Sequence, residues 1–137
     1  MKKFYTFLII FVGASIGGSL RYLIGLLFTV SSGFPWGTLF VNLTGAFLLP
    51  LLIHYLHDKF HLKANTVLFL TTGLLGAYTT FSTFTADSYK LFQNGTYVML
   101  SIYLLATMVG GFLCAIAGNY LAANLATREY LSRKKES

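Results

Sequence analysis

Hydroxyls and aromatic rings concentrate in one otherwise apolar stretch of this chain. Thr71 to Thr85 reads TTGLLGAYTTFSTFT, with seven Thr or Ser hydroxyls, two glycines and three aromatics in fifteen residues. Glycine weakens a helix, and Thr competes for the backbone in non-helical conformations. Gly73, Gly76 and the Thr79-Thr80 pair therefore predict an interrupted helix. Within a bilayer, interrupted backbone survives only where it is buried or lines a cavity, and its freed carbonyls can then hold a cation. A Thr-rich packing helix, its hydroxyls bonded back one turn, is the competing reading. Just downstream, Phe81 and Phe84 share a face at i, i+3 with Ser82 and Thr83 beside them. The edge of a phenyl ring is electropositive, so such rings offer an anion weak contacts without trapping it.

Other polar residues stand out against apolar surroundings. Arg21 is the only basic residue inside a predicted span; it either snorkels to the interface or lines an electropositive vestibule that attracts anions. Asn42 lies about two turns into the second span, either as glue between helices or as a donor in a pore. Tyr103 and Thr107 pair at i, i+4. Beside them Ala106, Gly110, Cys114, Gly118, Ala122 and Ala126 recur every fourth residue, a stripe that lets backbones approach within or between subunits. His54, His57, Asp58 and His61 share one helical face. A metal site there is conceivable, but titrating histidines at the membrane rim fit better. Asp58, Asp87, Glu129 and Glu136 are all expected at or beyond helix ends. The embedded carboxylate of a small proton-coupled transporter is therefore missing. No nucleophile stands with a base, so the chain is not expected to be an enzyme. Cys114 is the sole cysteine and cannot form a disulfide within the chain.

The elements that must position these groups follow from composition. The 137 residues are 55% hydrophobic, 17% aromatic and only 10% charged, against about 25% charged in a soluble domain. A spanning helix takes ~20 apolar residues to cross ~30 Å of hydrocarbon. The charge-free intervals predict four, at about 4–29, 36–57, 64–87 and 96–126, forming a single all-α transmembrane domain over residues 1–137. The interruption in the third then falls near mid-membrane. The short alternating segments of a β-barrel do not occur. Lys2-Lys3 ahead of an apolar run imitates a signal peptide, but the run continues past Gly17-Gly18 without a convincing cleavage site. The Asn42 and Asn94 sequons fall in a span and a short loop, and are read as coincidence.

Four spans place both termini and the loop between spans two and three on one side. That side holds eight of the ten basic residues, so the positive-inside rule assigns both termini to the cytoplasm. The net charge of +6 then acts as an orientation signal with some attraction to anionic lipid. Short basic tails without a domain to present a groove argue against nucleic-acid binding.

The strings GGSLRY (17–22), GTLFVN (37–42) and GAYTTFSTF (76–84) together resemble the Fluc (CrcB-type) fluoride channels, in the same order and over nearly the whole chain. The resemblance implies an antiparallel dimer with two fluoride pores and a structural, untransported sodium ion at its centre. Backbone carbonyls of Gly76 and Thr79 from both subunits would hold the sodium. Asn42, Phe81, Ser82, Thr83, Phe84, Tyr103 and Thr107 would line the pore, with Arg21 and Thr38 at the vestibule. The implied function is passive fluoride export across the cell membrane, reducing fluoride toxicity. A non-conducting scaffold subunit of a heterodimeric channel, or a small proton-coupled transporter, is the alternative. The chain departs from the family pattern at Ala77, where a glycine is usual, at Tyr78 for Phe, at Asp87 for glutamate and at Pro50 for a small residue. An antiparallel homodimer also needs a chain that inserts both ways. The strong charge bias therefore favours an oppositely oriented paralogue as partner over a second copy of this chain.

Overall fold

A computed structural model describes residues 2–28, 33–56 and 62–136. The expected ends of the first two spans, at 29 and 57, lie outside these residues, as do His57, Asp58 and His61. His54 is exposed, and no three metal-ligating side chains cluster among the described residues.

The described residues are helical apart from short connections, with no strand among them. Helix α1 runs Lys2–Leu27. Helix α2, Trp36–Pro50, continues into wider π turns over Leu51–Leu56. Pro50 has no N–H to continue the α pattern, and the backbone widens where it enters. Helix α3, residues 64–78, starts as Ala64–Leu68, widens over Phe69–Leu75 and closes with Gly76–Tyr78. Helix α4 is Phe81–Gln93, and α5 is Tyr97–Glu136.

Among the described residues, four stretches are long and apolar enough to cross a membrane: Lys3–Leu27, Trp36–His54, Ala64–Gln93 and Tyr97–Arg128. The third joins α3 to α4 and runs past the expected end at 87, so Asp87 lies inside α4 rather than at its terminus. The turn from α4 to α5 is tight because Gly95 adopts a φ of 69°, a region costly for residues with a Cβ.

Small residues set the helix pairing. Helix α1 lies directly on α3: a Cβ at Gly13 would stand 2.6 Å from the Phe69 carbonyl oxygen, and one at Gly73 would stand 2.8 Å from that of Ile10. Helix α5 uses its small stripe on α2. A Cβ at Gly110 would press on Leu43, and one at Gly118 would collide with the Phe47 backbone. These members of the stripe thus pack within the chain. Two small cores result. Leu39, Leu91 and Tyr103 form one, between α2, α4 and α5; Val41, Leu75 and Tyr78 form the other, between α2 and α3. Elsewhere large apolar side chains such as Phe7, Leu105 and Phe112 point outward, as suits helices solvated by lipid rather than water.

Candidate functional site

The connection between α3 and α4 is held from α2 one residue at a time. Thr79 (φ −74°, ψ 156°) and Thr80 (φ −150°, ψ 124°) are extended, so the helical ladder cannot pass through them. Asn42 takes over that ladder. Its Nδ2 donates to the Thr80 carbonyl at 3.0 Å, and its Oδ1 accepts from the Thr80 N–H at 2.8 Å. The methyl of Thr79 occupies the space where Gly45 lacks a Cβ. The hydroxyl of Tyr78 lies 2.9 Å from Thr44 Oγ1. Thr80, itself buried, caps α4: its Oγ1 accepts from the Thr83 N–H at 3.1 Å and donates to Thr83 Oγ1 at 3.0 Å, with Ser82 Oγ at 3.2 Å. Buried polar backbone needs such partners.

These bonds divert two donors. In an unbroken helix the Thr80 N–H would serve the Gly76 carbonyl, and the Thr83 N–H would serve that of Thr79. Asn42 takes the first and the Thr80 hydroxyl the second. The two carbonyls that the resemblance assigns to a sodium ion are thus among the four, those of residues 76–79, that the extended pair leaves without a helical donor. Gly76 is exposed on the single chain and Thr79 half-buried. Hard oxygen donors at the C-terminal, negative end of α3 suit an alkali cation, so the residues present fit the group. Across the break the N-terminus of α4 presents N–H groups and a positive pole.

A groove of about 490 Å³ runs beside the break, lined among others by Asn42, Gly76, Thr79, Phe81, Phe84 and Thr107. Phe81 is 80% exposed on the single chain, a large ring with no cover. From it a line of rings crosses the molecule. Centroid distances are 5.8 Å from Phe81 to Phe84, 5.3 Å on to Tyr103, 5.7 Å to Phe34 and 4.5 Å to Trp36. Two hydroxyls along this path, Tyr103 Oη and Thr107 Oγ1, are buried and have no hydrogen-bond partner among the described residues. Thr38 donates to Asp87 Oδ2 at 2.7 Å, close to Tyr103. A second hollow of about 220 Å³ opens beyond, lined by Phe34, Asp87, Lys90 and Asn94.

Most sequence-derived residues thus gather around one feature. Asn42, Gly76, Thr79, Phe81, Phe84 and Thr107 share the groove, Ser82 and Thr83 sit in the Thr80 hydroxyl cluster, and Tyr103 lies behind Phe84. Arg21 stands apart on α1, half-buried, with no hydrogen bond or ion pair to the described residues. Sequence reasoning singled out Asn42 and the Thr pair separately but not their mutual bonding. It missed Thr44, Gly45 and the Thr38–Asp87 bond altogether. The T-G pair at 44–45, two residues past Asn42, was the available signal: a hydroxyl and a missing Cβ on an otherwise bulky helix.

Residues 8–119 match the CrcB-like protein family, described as Camphor Resistance (CrcB). The chain is 44% identical over 112 residues to "Fluoride-specific ion channel FluC 1" of Latilactobacillus sakei subsp. sakei (strain 23K), covering 82% of this chain and 83% of that one. It is 40% identical over 115 residues to "Fluoride-specific ion channel FluC" of Agrobacterium fabrum (strain C58 / ATCC 33970), covering 82% and 92%. The protein of the same name from Hydrogenobaculum sp. (strain Y04AAS1) is 40% identical over 121 residues, covering 88% and 99%.

Proposed function

Because this multi-pass membrane protein belongs to the CrcB-like family, we propose that it forms a fluoride-specific channel through which fluoride leaves the cell passively, limiting its toxicity. The carrying observation is the groove at the α3–α4 connection. It sets an amide, several hydroxyls and two phenyl rings beside the positive end of α4. A small anion in low dielectric faces a Born cost of order 20 kcal/mol, so a pore must replace its hydration yet bind weakly enough to release it. Asn42 has one Nδ2 hydrogen left after bonding Thr80, and Ser82, Thr83, Tyr103 and Thr107 add hydroxyls. The ring edges of Phe81 and Phe84 supply contacts too weak to hold the ion. Arg21 and Thr38 belong to the vestibules, where positive charge raises the local anion concentration. Fluoride enters cells as neutral HF and is trapped as the anion at neutral pH; a negative-inside potential then drives it out through a passive pore.

The active unit is an antiparallel dimer. Two carbonyls per chain make half a cation shell, and an uncovered Phe81 calls for a second surface. Two inverted chains would meet around one structural sodium ion held by Gly76 and Thr79 of each, with the α3–α4 connection near mid-membrane. This chain inserts with both termini in the cytoplasm, given its charge bias, and its partner is an oppositely oriented paralogue in preference to a second copy. Tag accessibility in cells expressing the chain alone tests the orientation: labelling on both faces of a functional protein would rule the paralogue out.

Fluoride efflux from liposomes tests the function, with valinomycin clamping the potential and chloride as control. Fluoride-selective efflux by the chain alone supports a self-sufficient channel that inserts both ways. Efflux only after adding a candidate partner chain supports the heterodimer. Silence under both conditions refutes the channel reading and leaves a non-conducting scaffold or a small proton-coupled transporter.

A further inference from the structure

We propose that the Tyr78–Thr44 hydrogen bond is a positioning device for the cation site, holding the end of α3 so that the Gly76 and Thr79 carbonyls keep one arrangement. This rests on the sodium reading above and extends it to residues on neither the cation nor the fluoride path. Thr44 Oγ1 lies 2.7 Å from the Phe40 carbonyl and 3.3 Å from that of Val41, both of which can only accept; with its hydrogen on either, Tyr78 is the donor of the 2.9 Å bond to Thr44. The tyrosine is 8% exposed and packs with Val41 and Leu75, which leaves its hydroxyl little freedom to choose another acceptor.

Tyr78 is the last helical residue before the extended pair. Its hydroxyl ties it to Thr44, Gly45 receives the Thr79 methyl, and Asn42 binds Thr80. Consecutive residues of the connection are thus pinned to one stretch of α2. Gly76 and Thr79 flank Tyr78, so its tether sets the distance between their carbonyls. Loosening it widens the ensemble of carbonyl positions that a cation must reorder on binding, which lowers affinity without removing any oxygen ligand.

Sodium-dependent thermal unfolding of the purified, detergent-solubilised protein tests this, with N-methylglucamine replacing sodium at constant ionic strength. A cation that binds only the folded state raises the unfolding midpoint once its concentration passes its Kd. Tyr78→Phe should move the sodium concentration at which stabilisation begins upward by about 3- to 10-fold, as losing one modest hydrogen bond predicts. Thr44→Val should do the same, and the double variant should go no further, because both remove one bond. Fluoride efflux at saturating sodium should match the parent. If Tyr78→Phe does not fold, Thr44→Val decides alone. Unchanged sodium dependence in the variants, or additive shifts in the double variant, overturns the proposal. A parent protein that sodium does not stabilise at all overturns the cation reading itself.

Discussion

Replacing Asn42 separates its two proposed roles, clamp for the helix connection and donor to fluoride. Asn42→Ala deletes both bonds to Thr80, at 3.0 and 2.8 Å, and leaves a buried N–H and C=O unpaired at about 1–3 kcal/mol each. The full loss would be about 2–6 kcal/mol, but the chain has an escape. The Thr80 N–H can swing back to the Gly76 carbonyl and re-form the helical ladder. The expected destabilisation is therefore at the low end, about 2–3 kcal/mol, and the Gly76 carbonyl is withdrawn from the cation. Asn42→Ala should unfold at a lower temperature, lose sodium-dependent stabilisation and lose fluoride efflux. Asn42→Asp differs: it keeps the acceptor for the Thr80 N–H, loses the donor to the Thr80 carbonyl and puts a negative charge on the groove. At about 4 Å and an effective dielectric of about 20, that charge repels fluoride by ~4 kcal/mol, roughly a thousandfold in rate. Asn42→Asp should therefore keep much of its sodium response while efflux disappears. Thermal unfolding against sodium, run beside liposome efflux, reads both. An Asn42→Ala protein with full sodium stabilisation would refute the clamp; an Asn42→Asp protein that conducts like the parent would refute the donor role.

The rings, the glycine contact and the carboxylate make further predictions. Phe81 is 80% exposed on the single chain, so Phe81→Ala should leave the chain's own folding nearly intact while abolishing efflux. Phe84→Ala, which also loses contact with Tyr103, should abolish efflux and cost about 2–3 kcal/mol of stability; unaffected rates in both would favour the scaffold reading. Gly45→Ala puts a methyl into the Thr79 side chain and should lower the unfolding midpoint and weaken sodium stabilisation, whereas an unchanged midpoint would show that the connection can shift at no cost. Asp87→Asn should retain clamped efflux that ignores a pH gradient, since a passive pore needs no proton carrier; loss of efflux with loss of proton coupling would instead support a proton-coupled transporter.

Legibility in the sequence follows the range of the forces involved. The four apolar stretches were plain because span length and charge exclusion are local, one-dimensional requirements. A charge in an apolar stretch reads as a boundary, which puts the third span's expected end at 87. A Thr38 hydroxyl donating to Asp87 at 2.7 Å partly replaces water, and α4 runs on to Gln93. The π turns over Phe69–Leu75 were not legible either, since nothing in FLTTGLL excludes an ordinary helix; they arise where Gly13 and Gly17 bring α1 hard against α3. The histidine face falls outside the described residues save for His54.

The α3–α4 connection shows why composition alone reached only half of the site. Threonine and glycine lower the cost of leaving the helix, but they do not satisfy the groups that leaving exposes. An extended Thr80 in an apolar setting is tenable because a side chain from another helix offers a donor and an acceptor at the matching separation. Asn42 is the one side-chain amide on α2, and its Nδ2 and Oδ1 supply the two at once. The same substitution of partners frees the Gly76 carbonyl, and the Thr80 cap frees that of Thr79. Unmet carbonyls at the end of α3 and unmet N–H groups at the start of α4 are therefore two sides of one event. In the proposed channel, that event pairs a fixed cation with a path for an anion. A helix repaired at Thr80 would lose both, which is why the response to sodium and the flux of fluoride should fall together in Asn42→Ala and separate in Asn42→Asp.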